Sequence, residues 1–156
     1  MVTATTAASA APNTMAPSWF AGHLAAMVFL HFAWPLHHWN LGMTRWWGLP
    51  FALAGFAVVT LCAGRFARVT TLLPYETPSV LVTNGLYRVS RNPMYAGMLL
   101  AMVGGVVMLG SVTPALAVPL FYWIIRTRLV AHEERVLEER FGDEYRAYQR
   151  RVRRWI

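Results

Sequence analysis

The sequence predicts an all-α integral membrane protein with about four transmembrane helices and an amphipathic, cytoplasmic C-terminal helical segment. Of its 156 residues, 56% are apolar and only 13% are charged, whereas roughly a quarter of the residues in a soluble domain are charged. The apolar residues collect in four segments, and all 14 basic residues are arginines, which give a net charge of +7. These observations fit one membrane domain and argue against a nucleic-acid-binding protein.

The N-terminal segment, residues 1–17, reads MVTATTAASAAPNTMAP and contains small and polar residues without a basic one. A secretory signal would need a positive region followed by an apolar run. We therefore expect a disordered tail over residues 1–17 and a single domain over residues 18–156. Cys62 is the only cysteine, so we expect a small buried side chain there and no disulfide within the chain.

The four apolar segments predict four membrane spans. A span needs about 20 residues, and aromatic residues at the headgroup level would complete the slightly short segments. The short link between the third and fourth segments, residues 110–114, predicts a tight antiparallel hairpin. The predicted spans cover about residues 19–36, 47–64, 93–109 and 112–130.

The arginines predict the orientation of these spans. Four lie in the second loop, about residues 64–93, between the second and third predicted spans; nine lie between Arg126 and the C-terminus, and only Arg45 lies on the opposite side. Cytoplasmic loops of membrane proteins carry an excess of arginine and lysine. We therefore expect the second loop and the C-terminus to face the cytoplasm, in a multi-pass protein of a bacterial inner membrane.

The segment after the fourth span, residues 131–156, predicts amphipathic helices. Gly142 predicts a break within the segment, with Asp143 capping the second piece. Two interpretations stand: a helix lying on the membrane surface, or a lid that folds back over a cytoplasmic cavity. The apolar residues recur at steps of three and four, as on one helical face: Leu137, Phe141, Tyr145, Tyr148, Val152 and Trp155.

The second loop ends in a turn followed by a helix start. Asn84-Gly85 is typical of a tight turn, and Asn92 before Pro93 is typical of a capped helix N-terminus. By itself, Asn92-Pro93 indicates only where a helix begins. The free N–H groups of such a helix end also favour an anion. Arg88 and Arg91 would strengthen that site, or would extend to lipid phosphates.

Two longer stretches together carry a resemblance to a known family. They are LVTNGLYRVSRNPMYAG, residues 81–97, and EERVLEERFGDEYRAYQRRV, residues 133–152. Together they resemble the isoprenylcysteine carboxyl methyltransferases and their relatives, the phospholipid N-methyltransferases. The resemblance covers about residues 60–152. It implies a methyltransferase within the membrane that uses S-adenosyl-L-methionine and admits this cofactor from the cytoplasm.

The resemblance also implies which residues contact the cofactor. Tyr87 would form an aromatic wall, Glu133 would hold the ribose, and Glu134 is the second member of the glutamate pair. Asn92 replaces the histidine of the prenylcysteine enzymes, and asparagine occurs there among the phospholipid relatives. The full set is Ser79, Val80, Leu81, Val82, Tyr87, Asn92, Pro93, Met94, Tyr95, Glu133 and Glu134.

The resemblance leaves the acceptor open. The arginine that approaches the substrate in the prenylcysteine enzymes aligns with Leu129, and Arg128 beside it would act as the catalytic residue if the helix turns slightly. We expect a lipid-like acceptor that bears a carboxylate, an amine or a thiol, in a protein surrounded by membrane lipids. No histidine pair has the spacing of two metal ligands on one helix face, so we expect no metal.

Two other functions remain open at this point. One is a membrane reductase related to the sterol reductases, which would bind a reduced nicotinamide cofactor. The other is a membrane scaffold without catalysis, which would bind no cofactor. The sequence does not indicate an oligomeric state.

Overall fold

The computed structural model describes residues 15–34, 36–39, 42–69 and 80–156, and within these ranges the protein is helical. Two 3-10 turns, Gly42–Trp47 and Gly85–Arg88, precede α2 and α3, and a π-helix, Ile125–Val130, joins α5 to α6. The only β-type pairing among the described residues is two isolated bridges. The α-helices are α1 (Met15–Ala33), α2 (Gly48–Val69), α3 (Pro93–Leu109), α4 (Val112–Ala115), α5 (Ala117–Ile124) and α6 (Ala131–Arg151).

The predicted segments match these helices to different degrees. The third segment, residues 93–109, coincides with α3. Helix α1 begins at Met15, so the predicted tail is too long by three residues, and residues 1–14 lie outside the described part. The fourth segment comprises α4, α5 and the π-helix, and it is divided between α4 and α5. Pro119 explains the division, because it has no N–H to donate to the carbonyl group of Ala115.

Among the described residues, two helices are long and apolar enough to cross a membrane. One runs from Gly42 to Arg65 over 24 residues, and the other from Val112 to Arg151 over 40 residues; α3 is a shorter apolar helix. A 40-residue helix is roughly 60 Å long, about twice the thickness of the hydrocarbon layer. Only part of it can therefore cross. The charged residues from Glu133 onward place α6 beyond the apolar part.

Helices α2 and α3 pack along a seam of small residues. A Cβ atom added to Gly55 would lie 2.5 Å from the carbonyl oxygen of Gly97, and one added to Gly104 would lie 2.6 Å from that of Gly48. The contacts run in opposite order along the two helices, which are therefore antiparallel. Such close approach through small residues is typical of helices that pack within a membrane.

The connections between the helices pair at the two ends of the bundle. The backbone N–H of Trp39 donates to the carbonyl of Gly110 at 2.8 Å, so the segment after α1 meets the link between α3 and α4. Gly110 has a φ of 63° and ends α3, as a short link requires. At the other end, the N–H of Arg91 donates to the carbonyl of Arg153 at 2.9 Å. The second loop therefore meets the C-terminus.

The C-terminal segment is partly as predicted. Gly142 has a φ of 48° and a ψ of −118°, which confirms the break within α6, and Tyr145 and Tyr148 on the predicted apolar face are buried. The helical prediction for residues 152–156 is wrong. Val152 is extended, with a φ of −124° and a ψ of 131°, because the following residues pair with the second loop instead of continuing the helix.

Candidate functional site

The first turn of α3 begins at the end of the second loop. Pro93 occupies the first helical position and Asn92 the cap position, but the Asn92 side chain forms no capping hydrogen bond. The capping prediction is therefore wrong. The Asn92 side-chain amide donates to the carbonyl of Arg154 at 3.0 Å instead, and its backbone N–H donates to Ser90 Oγ at 3.1 Å. The first turn of α3 consequently keeps N–H groups that no side chain caps.

A tyrosine and a glutamate meet between α3 and α6. The hydroxyl of Tyr95 donates to Oε1 of Glu133 at 2.7 Å, and Tyr95 is only 2% exposed. Burial raises the pKa of Glu133 to about 7; the neighbouring carboxylate of Glu134 adds to this rise, while the Tyr95 hydrogen bond opposes it. Among the described residues, Oε2 of Glu133 has no hydrogen-bond donor, so it remains an acceptor for a ligand.

Tyr87 lies beside this pair and connects it to α2. Tyr87 is buried, its side chain is hydrogen-bonded to Cys62, and Glu133 is close enough to raise its pKa further, although burial is the main cause of the rise. The Tyr87 carbonyl accepts a hydrogen bond of 2.6 Å from the hydroxyl of Tyr148. Cys62 is buried as expected, and the structure adds its contact with Tyr87.

The two glutamates of the pair have different surroundings. Glu134 forms ion pairs with Arg91 at 3.1 Å and with Arg154, and Nε of Arg154 donates to Glu134 at 3.0 Å. Glu133 forms no ion pair among the described residues. The side chains of Arg91 and Glu134 are each 12% exposed, and Nη1 of Arg91 faces Oε1 of Glu134. The Nε atom of Arg91 forms no hydrogen bond to another described residue, so it is a donor for an anion.

The other predicted site residues lie around this centre or apart from it. Ser79 lies outside the described residues. Val80 is exposed, and Leu81 and Val82 are partly buried in an extended segment. Pro93 is buried, and Met94 packs against the core. Arg128 is exposed on the π-helix and forms no ion pair within the described ranges.

In the described part of the chain, two of the cavities lie away from the tyrosine–glutamate centre. One of about 470 Å³ lies between α1 and α5 and is lined by Trp19, His23 and Leu120 among others. The other, of about 650 Å³, lies at the opposite end of α3 beside Arg45. Neither cavity has Tyr95 or Glu133 in its lining.

Sequence reasoning missed three residues that complete the centre: Cys62, Tyr148 and Arg154. The spacing of Tyr148 placed it on the apolar face of the C-terminal helix, without indicating its bond to the second loop. Arg154 is one of several arginines near the C-terminus, and no signal in the sequence separates it from its neighbours. Tyr148 and its partner Tyr87 are 61 positions apart, and Arg154 and its partner Glu134 are 20 positions apart.

The fold and the site together define an α-helical protein of membrane character, with a buried carboxylate and two tyrosines at the arginine-rich end. The chain belongs to the phospholipid methyltransferase family, which matches residues 43–144. The match includes Tyr87, Tyr95 and Glu133. It also confirms the family resemblance that the two sequence stretches indicate.

The chain is similar to several curated proteins. It is 38% identical over 96 residues to a probable protein-S-isoprenylcysteine O-methyltransferase of Oryza sativa, covering 62% of this chain and 49% of the relative. It is 32% identical over 115 residues to protein-S-isoprenylcysteine O-methyltransferase A of Arabidopsis thaliana, covering 69% and 58%. The chain thus spans about half the length of these relatives. No solved structure matches it.

Proposed function

We propose that the protein transfers a methyl group from S-adenosyl-L-methionine to a lipid-like acceptor at the cytoplasmic face of the membrane. The observation that carries this proposal is the contact of 2.7 Å between Tyr95 and Glu133. It places an aromatic side chain and a carboxylate with a free oxygen beside the uncapped start of α3. Family membership supplies the class of reaction.

The residues of the site fit the chemistry of this cofactor. Its ribose has two neighbouring hydroxyl groups, and Oε2 of Glu133 can accept hydrogen bonds from them. Its carboxylate suits the uncapped N–H groups of α3 and the Nε donor of Arg91. The aromatic faces of Tyr87 and Tyr95 suit its sulfonium by cation–π attraction. The remaining contacts that the resemblance implies, Ser79 to Val82, Asn92, Pro93 and Met94, would line the same site, and Glu134 would lie beside it.

The cofactor supplies an electrophilic methyl group, and the acceptor's nucleophile would form the new bond as the carbon–sulfur bond breaks. The protein's part is to align the two reactants, which accounts for much of the acceleration in such a displacement. Tyr87 and Tyr95 are buried, and we expect their side chains to keep water from the reacting atoms. A carboxylate acceptor needs no base, whereas an amine or thiol acceptor must first lose its proton.

Arg128 is the residue that we propose to orient an acceptor carboxylate. It lies next to the position of the substrate-facing arginine in the prenylcysteine enzymes, and it belongs to the π-helix Ile125–Val130. A π-helix changes the direction in which its side chains leave the axis, and such segments are frequent at functional sites. The named activity of the plant relatives, O-methylation of isoprenylcysteine, makes a prenylated carboxylate the first acceptor to test.

A four-span arrangement in a bacterial inner membrane, with the C-terminus in the cytoplasm, is part of the proposal. The pairing of loops at the two ends of the bundle supports it, since four antiparallel crossings bring alternate loops to the same side. The second loop and the C-terminus carry 13 of the 14 arginines, which supports a cytoplasmic location for both. The cofactor site lies at that end.

Calorimetric titration of the detergent-purified protein with S-adenosylhomocysteine tests the proposal. We expect saturable binding, weakened by Glu133→Gln but unchanged by Glu139→Gln, an exposed glutamate on the same helix. A parallel titration with reduced nicotinamide cofactor tests the reductase. Binding of the nicotinamide compound alone would identify a reductase, and binding of neither compound would leave a scaffold.

The acceptor can be identified with methyl-labelled cofactor. We expect label to move into the lipid fraction when the protein is incubated with lipid extracts or a prenylated cysteine. Base-labile label indicates a methyl ester, and base-stable label indicates an amine or thiol acceptor. An Arg128→Gln variant should lose transfer to a carboxylate acceptor while it retains binding of S-adenosylhomocysteine.

A further inference from the structure

We infer that the C-terminal tail, residues 152–156, is part of the candidate site, and that Arg154 and Glu134 are its positioning residues. The inference rests on the proposed function for the identity of the ligand. Its structural content is independent of that identity. The tail holds the three residues that precede α3 in one arrangement, and so fixes the uncapped helix start and Arg91 relative to Glu133.

The first observation is a set of bonds from the second loop to the tail backbone. The N–H of Arg91 donates to the carbonyl of Arg153 at 2.9 Å. The Arg154 carbonyl accepts from Oγ of Ser90 at 3.3 Å and from Nδ2 of Asn92 at 3.0 Å. Three consecutive residues, 90–92, are therefore bonded to two consecutive carbonyls. The next residue is Pro93, the first of α3.

The second observation is the chain of charges across the glutamate pair. The guanidinium of Arg154 donates to both oxygens of Glu134, and Oε1 of Glu134 also lies 3.1 Å from Nη1 of Arg91. One carboxylate thus lies between two guanidinium groups. A bidentate pair of this kind fixes direction as well as distance, so Arg154 orients Glu134, and Glu134 orients the buried Arg91.

The third observation is that the tail has its own anchor. The ring of Trp155 lies 5.3 Å from that of Tyr122 and packs against the hydrophobic core. The position of Arg154 is therefore set by a neighbouring apolar contact as well as by its charge. This explains how a segment at the end of the chain can hold a loop that lies more than 60 residues earlier.

The division of the glutamate pair follows from these contacts. Glu133 points to Tyr95 and has an oxygen left for a ligand. Both oxygens of Glu134 are already bonded by arginine. We therefore assign ligand contact to Glu133 and positioning to Glu134, although the two residues are adjacent in the sequence.

The experiment compares Arg154→Gln, Arg154→Lys and Arg153→Gln in the full chain. Arg153→Gln is the matched control, because it removes the same charge from the adjacent residue. Arg153 bonds the loop through its backbone carbonyl, which the substitution keeps. We measure affinity for S-adenosylhomocysteine by calorimetry, and hydrogen exchange over residues 88–96 in the ligand-free protein. We expect Arg154→Gln to weaken binding about tenfold, which corresponds to 1.4 kcal/mol, and to speed exchange over these residues.

The conservative variant and a second site separate positioning from general stability. Arg154→Lys keeps the charge but loses the planar guanidinium group. We therefore expect its affinity and its exchange rate to lie between those of the wild type and Arg154→Gln. Trp155→Ala removes the anchor without changing a charge, and we expect it to speed exchange over the same residues. A merely structural role would instead lower the melting temperature and speed exchange along all of α3.

The outcomes distinguish this inference from the proposed function. If the wild type binds the ligand and Arg154→Gln binds equally well with unchanged exchange, the tail inference is wrong and the proposed function stands. If the wild type does not bind, the proposed function fails. Hydrogen exchange in the ligand-free Arg154→Gln variant then still tests the role of the tail. Exchange over residues 88–96 at the wild-type rate overturns that role, and faster exchange confined to these residues supports it.

Discussion

Affinity for S-adenosylhomocysteine should rise with pH through about 7, because Glu133 must be ionised to accept the ribose hydroxyls. Burial raises the pKa of this carboxyl group from its ordinary 4.5 to about 7. The ionised fraction is then roughly one eleventh at pH 6 and ten elevenths at pH 8, and the apparent affinity scales with that competent fraction. We therefore expect about a tenfold gain in affinity over these two pH units.

Calorimetric titration at pH 6, 7 and 8 measures this gain at constant ionic strength. Repeating the pH 7 titration in buffers of different ionisation enthalpy should show the release of about half a proton per ligand bound, since about half of the carboxyl groups are protonated there. Glu133→Gln should bind weakly at every pH and release no proton. An affinity that is flat between pH 6 and 8 in the wild type would refute the assignment of Glu133 as the ribose acceptor.

Three further predictions concern the scaffold of the site, each measured as the melting temperature in detergent. Gly104→Ala should destabilise the protein by about 1–3 kcal/mol through overpacking, because its Cβ would meet the α2 backbone. The control Gly105→Ala should be tolerated, because its Cβ would lie 3.5 Å from a methionine methyl. Equal melting temperatures of these two variants would contradict the close packing of α2 and α3. Tyr148→Phe should cost about 1 kcal/mol, since it removes the bond to the Tyr87 carbonyl; an unchanged melting temperature would argue against that bond. Glu133→Gln should stabilise the ligand-free protein at pH 8 but not at pH 4. Because the pKa of Glu133 is raised in the folded protein, its contribution to stability is fully present below pH 4.5 and is lost as the pH rises through about 7. Stabilisation of equal size at both pH values would argue against a raised pKa.

The sequence predicts the features that depend on local pattern. The bounds of α3 follow from Asn92-Pro93 at one end and Gly110 at the other, because both signals act within a single turn of helix. The break at Gly142 follows from the residue's tolerance of positive φ. The small-residue spacing in α3 predicts close packing, although its partner α2 is visible only in the structure.

The features that depend on distant residues were not predictable from pattern alone. Asn92 has the right residue type for a cap, but the Arg154 carbonyl takes its side-chain amide. The extended tail follows an amphipathic helix whose periodicity continues through Trp155, so the pattern gives no sign that the helix ends at Arg151. Glu133 and Glu134 are equivalent in sequence and differ only because one faces Tyr95 and the other two arginines.

We propose that Glu133 and Tyr95 form one wall of a cofactor site at the start of α3. A structure of the protein in complex with S-adenosylhomocysteine tests it most directly. We expect the ribose hydroxyls within about 3 Å of the Glu133 carboxylate, with the ligand's carboxylate at the first turn of α3 near Arg91. A ligand bound elsewhere, with the Tyr95–Glu133 hydrogen bond intact and no contact to either residue, would contradict the claim.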